Sequence, residues 1–120
     1  MRSFVRTVLE SLTAPSGQFE IFEAMSGFDA LRILPRGRWD LVISDINMPD
    51  INGLELLAFV RRSDVHRATP VILISTQSSE KDRQRGLILG ANAYLVKPFT
   101  SEQLATEVQR QIGLPRGGCQ

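Results

Sequence analysis

Three polar residue types stand just beyond three apolar runs in this chain. Asp45 comes after Leu41-Val42-Ile43 with Ser44 between, Ser75 and Thr76 after Val71-Ile72-Leu73-Ile74, and Lys97 after Tyr94-Leu95-Val96. A carboxylate, a hydroxyl and an ammonium gathered at one place suit a covalent phosphoryl acceptor. Asp45 would be the nucleophile, with Lys97 and Ser75 holding the phosphoryl oxygens. Such chemistry also uses a cation to offset charge on those oxygens, and Asp45 with the backbone carbonyl of Asn47 offers two ligands for Mg²⁺. No second carboxylate can be assigned there, because Asp50 lies on a turn of undetermined direction. Each residue alone has an ordinary reading, as a turn aspartate, a loop hydroxyl and a solvated lysine. Their joint position at the ends of three separate runs favours the functional one.

The elements that must position them can be read from hydrophobic period and capping residues. Residues 1–12 repeat apolar side chains at helical spacing, and Phe19–Ala24 alternates as a strand does. Ser26 with Asp29 opens a helix closed by Pro35-Arg36-Gly37, and Leu41-Val42-Ile43 is a short buried-type strand. Asn52 with Glu55, Ser79 with Asp82 and Thr100 with Gln103 open three further helices. Between them lie the strands Val71–Ile74 and Ala93–Val96. Strands alternating with helices predict an α/β domain with a mostly parallel sheet covered on both faces. The residues past the strand ends then share one edge, where open α/β sheets bind ligands.

Composition sets the outer bounds. At 120 residues the chain suits one domain. Fourteen Lys and Arg against thirteen Asp and Glu leave a formal charge of +1, and no basic run points to nucleic acid. The single cysteine, Cys119, has no partner for a disulfide, which fits a reducing compartment. No apolar stretch approaches the ~20 residues of a membrane span, so the expected location is cytoplasmic, without membrane or nucleic-acid partners. His66, in the polar linker from Arg61 to Thr69, is expected to be solvated. Tyr94 is either core-packed with its hydroxyl at the surface or a switch residue.

The stretches Ser44-Asp45-Ile46-Asn47-Met48-Pro49, Gly53-Leu54-Glu55-Leu56-Leu57, Pro70 to Thr76, and Gly90 to Phe99 resemble the receiver domain of two-component response regulators. The single-domain chemotaxis type is the most similar. The resemblance covers essentially the whole chain, as a domain over 1–114 with a C-terminal tail at 115–120. It implies a flavodoxin-like doubly wound parallel sheet. It further implies a phosphorelay signalling role, not an enzyme beyond weak self-dephosphorylation. In that pattern Asp45 matches the phosphoacceptor, Ser75 and Tyr94 the switch residues, Lys97 the family lysine, and Asn47 the residue whose carbonyl binds Mg²⁺. Lys97-Pro98 matches a peptide commonly cis in the family, and Gln77 a position that tunes dephosphorylation. The implied partners are a sensor histidine kinase or phosphotransfer protein and a downstream protein docking near Tyr94, Phe99 and Gln103.

The chain departs from the pattern at its start. Receivers open with an apolar strand ending in an acidic pair, whereas this sequence begins at the helix that follows, leaving four strands and five helices with the usual first, central strand missing. That strand would lie between those at 19–24 and 40–45. Burying about four large apolar side chains there is worth on the order of 6–12 kcal/mol, comparable with a domain's whole stability. Three arrangements stay open: the neighbours close up, a second copy fills the slot in a homodimer, or the sequence begins late. Weak or absent Mg²⁺ binding is expected. The alternative function is a phosphorylation-independent receiver-like interaction or dimerisation module. A small hydrolase using Asp45 is the poorer third class, because the position two residues on, usually a second acid in such enzymes, is Asn47.

Overall fold

The computed structural model describes residues 13–14, 17–18, 22, 24, 26–47, 50–75 and 80–112, and divides into two compact units. The larger unit, 23–98, contains helix α1 (Gly27–Ile33), a 3₁₀ turn (Leu34–Arg36), strand β3 (Val42–Asp45), helix α2 (Gly53–Arg62), strand β4 (Val71–Ser75), helix α3 (Glu80–Leu89) and strand β5 (Ala93–Val96). The smaller unit, 1–22 with 99–120, contains the two-residue strands β1 (Thr13–Ala14) and β2 (Gly17–Gln18) and helix α4 (Ser101–Gln111).

Three of the four α-helices among the described residues carry the N-terminal caps expected from sequence. The Ser26 side chain accepts from Asp29 N–H at α1. Asn52 and Glu55 form a reciprocal capping box at α2, as do Thr100 and Gln103 at α4. Each satisfies backbone donors that a helix start leaves unpaired. Gly90, just past α3, has φ +106, a left-handed conformation that suits glycine and ends the helix. Ser79, the cap expected for α3, lies outside the described residues.

The sheet of the larger unit is parallel, in the order β3-β4-β5. β4 is buried along its whole length, which is why Val71-Ile72-Leu73-Ile74 reads as unbroken apolar sequence. Val71 and Leu73 join a cluster with Leu54, Leu57 and Val60 of α2 and Leu34. Ile72 and Ile74, on the opposite face by strand alternation, are equally buried. Gly86 lets α3 lie close to the sheet, since a Cβ there would stand 2.9 Å from Leu73 Cδ1.

The expected flavodoxin-like α/β fold is present, with three parallel strands and four α-helices among the described residues. Within the segment expected as a strand over 19–24, Phe22 and Ala24 are described, exposed and in no regular element. The rest of that segment, the helix expected over 1–12 and the tail 115–120 lie outside the described residues. Thr13 pairs antiparallel with Gln18 and Ala14 with Gly17, a pairing that periodicity did not indicate.

One sequence expectation is overturned. His66 is not solvated but 5% exposed. The Arg61 guanidinium donates to the carbonyls of Arg67 and Thr69, at 3.1 and 2.7 Å, and draws the linker back on itself. Thr69 N–H donates to His66 O at 2.9 Å, closing the turn around the imidazole. A polar linker composition does not say which of its residues turns inward.

Candidate functional site

β3 and β5 flank β4 with their C-terminal ends on one edge. The register sets Asp45 opposite Ile74, and Ser75 opposite Val96. Ile46 N–H donates to Ile74 O at 2.8 Å, and Lys97 N–H to Ser75 O at 2.7 Å, so pairing with β4 continues one residue past each outer strand. Across that edge Lys97 Nζ stands 3.2 Å from Asp45 Oδ1. Both side chains are about half exposed, at 43% and 49%, so the pair is open to a solvent-borne reactant. Ser75 closes the intervening strand and is 2% exposed. Asn47 is exposed, and Tyr94 is half-buried against the core cluster. The peptide Lys97-Pro98 is cis. Thr76 and Gln77 lie outside the described residues.

Gly53, the first residue of α2, is held close to this edge. Gly53 N–H donates to Ile46 O at 2.8 Å. A Cβ at Gly53 would collide with the Asp45 carbonyl oxygen and come within 2.9 Å of Ile46 Cα, so only glycine permits this approach of α2 to the strand end. Asp50, whose direction sequence left open, points away to α1. Its Oδ1 accepts from Gly27 N–H at 3.0 Å and Ile51 N–H at 2.8 Å, and its Oδ2 from Phe28 N–H at 2.8 Å. The hydrogen bond from Phe28 is the leading cause that lowers the Asp50 pKa to about 2, with those from Ile51, Gly27 and Ser26 adding to it.

A second group missed from sequence is Arg61, near the end of α2. Besides the linker carbonyls, its guanidinium donates twice to Gly90 O, at 3.1 and 2.7 Å, and to Asn92 Oδ1 at 2.8 Å. Asn92 Oδ1 also accepts from Val71 N–H at 2.9 Å, tying the end of α3 to the start of β4. Neither Asp50 nor Arg61 carried a local signal, since Asp50 meets α1 from 22 to 23 residues away and Arg61 meets Gly90 from 29. Gln103 Oε1 is used by its own helix cap, accepting from Thr100 N–H at 2.8 Å.

A half-exposed carboxylate next to an ammonium, at the carboxyl ends of parallel strands, can act as a nucleophile toward an electrophilic phosphorus while the cation offsets charge on the phosphoryl oxygens. For a magnesium ion the edge offers Asp45 and the Asn47 carbonyl. Asp50 is committed to α1, and no group of three or more His, Cys, Asp or Glu residues converges to hold a metal among the described residues. Those residues by themselves do not fit a magnesium site.

Comparisons with known proteins agree with this arrangement. Residues 2–109 match the response regulator receiver domain. Protein PilG of Pseudomonas aeruginosa is 30% identical over 108 residues, covering 90% of this chain and 79% of PilG. The probable transcriptional regulator ycf29 of Porphyra purpurea is 37% identical over 94 residues, covering 78% of this chain. The chain spans only 45% of that regulator's length. Among solved structures, the chemotaxis response regulator CheY4 of Vibrio cholerae is similar at a TM-score of 0.77 and 34% identity, over 89% of this chain and 85% of that one. The receiver domain of sensor histidine kinase PA1611 of Pseudomonas aeruginosa, which carries magnesium in its active-site cleft, aligns at a TM-score of 0.71 and 30% identity, over 78% and 77%. With the fold, the strand-end carboxylate and lysine, and a family match across nearly its whole length, this chain belongs to the response regulator receiver domain family.

Proposed function

We propose that Asp45 accepts a phosphoryl group from a sensor histidine kinase or phosphotransfer protein, and that the modified domain signals to a downstream protein. A carboxylate oxygen of Asp45 forms the new O–P bond as the donor's N–P bond breaks, and the departing imidazole takes up a proton. Lys97 offsets the charge of the transferred group, and Ser75 with Tyr94 senses it. The observation that carries this reading is the 3.2 Å approach of Lys97 Nζ to Asp45 Oδ1 at a half-exposed strand edge. The output surface includes Tyr94, and any loss of the phosphoryl group by self-hydrolysis is weak. The receiver domain spans 1–114 with 115–120 as a tail and works in the cytoplasm.

The test is incubation with acetyl phosphate and Mg²⁺ followed by mass spectrometry. One phosphoryl group on the wild type and none on Asp45→Asn is expected. An unlabelled wild type, or equal labelling of the variant, overturns the reading.

A second reading, an interaction or dimerisation module independent of phosphorylation, is supported by two observations. No group of three or more His, Cys, Asp or Glu residues converges to hold a metal among the described residues, and β3 pairs with a described strand on one side only. Concentration-dependent sedimentation unaffected by acetyl phosphate would favour it.

A further inference from the structure

We infer that Asp50 is a positioning residue for the Asp45 site, acting by pinning the loop that carries Asn47 to the first turn of α1. The inference rests on the reading of Asp45 as phosphoacceptor and names a residue that this chemistry depends on without touching it.

Three anchors hold the described residues between Ile46 and Asn52. At its start Ile46 is held by Ile74 O and by Gly53 N–H, and at its end Asn52 is fixed by the α2 capping box. Between these, Asp50 is the anchor to a distant segment, through both carboxylate oxygens and the backbone N–H groups of Gly27 and Phe28. Two acceptor oxygens on two successive amides fix the carboxylate's orientation as well as its distance, and hydrogen bonds to an ionised acceptor are the stronger kind. The third bond, from Ile51 N–H to Oδ1, makes the loop's own backbone part of the same clamp.

Gly27 shows that the fit is close. A Cβ there would collide with the Ile51 side chain and stand 3.1 Å from Asp50 Oδ1. Asp50 and Ile51 therefore lie against α1, while Gly53 brings α2 against the Asp45 carbonyl. Asn47 sits between two fixed points, two residues after the nucleophile and three before the clamp. Release of the clamp removes one of the two fixed points on either side of Asn47, and a displacement on the order of 1 Å near a reacting group costs roughly a hundredfold in favourable cases.

The experiment compares wild type, Asp50→Asn and Asp50→Ala by two readouts. The first is amide NMR of the unphosphorylated proteins. Asp50→Ala is expected to shift and broaden Ile46 and Asn47 as well as Gly27 and Phe28, while Asp50→Asn, which keeps one acceptor oxygen, restores most of the wild-type pattern. Changes confined to Gly27 and Phe28 would reduce Asp50 to a cap of α1 and overturn the inference. The second readout is the rate of labelling by acetyl phosphate. Slowing by about tenfold in Asp50→Ala with partial rescue in Asp50→Asn is expected, and wild-type rates in both variants overturn it. If the wild type itself is not labelled, the phosphoacceptor reading fails, while the NMR comparison still decides whether Asp50 positions the loop.

Discussion

Lys97 Nζ reaches Asp45 Oδ1 at 3.2 Å although the two residues follow and end strands that are not neighbours, β4 lying between them. The contact exists because the lysine side chain spans the end of β4, where Ser75 closes the strand and its carbonyl holds the Lys97 backbone. With both groups about half exposed, solvent screens the pair, and its worth to folding is about 0–1 kcal/mol.

Lys97→Gln is therefore expected to leave stability within about 1 kcal/mol of wild type in urea unfolding. The same variant should label poorly at Asp45, because charge offset at the phosphoryl oxygens is lost. A large fall in unfolding midpoint would show that the pair is structural.

Arg61→Met removes donors from Gly90 O, Thr69 O, Arg67 O and Asn92 Oδ1 at once. Burial lowers the Arg61 pKa from its ordinary value, yet the guanidinium keeps its charge, and the partly buried acceptors are left without it. A loss of about 2–4 kcal/mol in urea unfolding is expected. Arg61→Lys should recover little, since an ammonium cannot serve this fan of carbonyls in the plane of a fork.

Gly53→Ala places a methyl group against the Asp45 carbonyl and Ile46 Cα, both backbone, which cannot rotate aside. The expected cost is about 1–3 kcal/mol by denaturant unfolding, with a displaced strand end. Chemical-shift changes should centre on Asp45 and Ile46; if they spread evenly over the sheet, the close approach is not what the glycine serves.

Acid should weaken the Asp50 clamp. Hydrogen bonding, from Phe28 first, lowers its folded pKa from 3.8 to about 2, below the unfolded value. Its contribution is thus fully present above about pH 4 and is lost as pH falls toward about 2. The stability difference between wild type and Asp50→Asn should stay constant from pH 7 to about 5 and shrink between about 4 and 2. A difference that is flat through the acid range would count against the ionised clamp.

How far the sequence speaks follows from the reach of each interaction. Capping pairs such as Asn52 with Glu55 and Thr100 with Gln103 act over three residues, and both formed as their spacing indicates. Unbroken apolar runs gave the strands β3, β4 and β5, and β4, buried along its whole length, has no polar alternation to show. The edge shared by Asp45, Ser75 and Lys97 followed from parallel topology alone.

The amino-acid order by itself determined the α/β class, the parallel sheet and the polar residues past its strand ends, because period and capping are local. Only the tertiary structure decided that Asp50 turns to the amides of Gly27 and Phe28, that Arg61 reaches Gly90 and Asn92, and that His66 faces inward. The first two are hydrogen bonds across 22 to 31 residues, and the third follows from the fold of a linker whose composition is polar throughout. The choices at Asp50 and Arg61 are made when elements pack and polar groups find distant partners, which no local window of sequence contains.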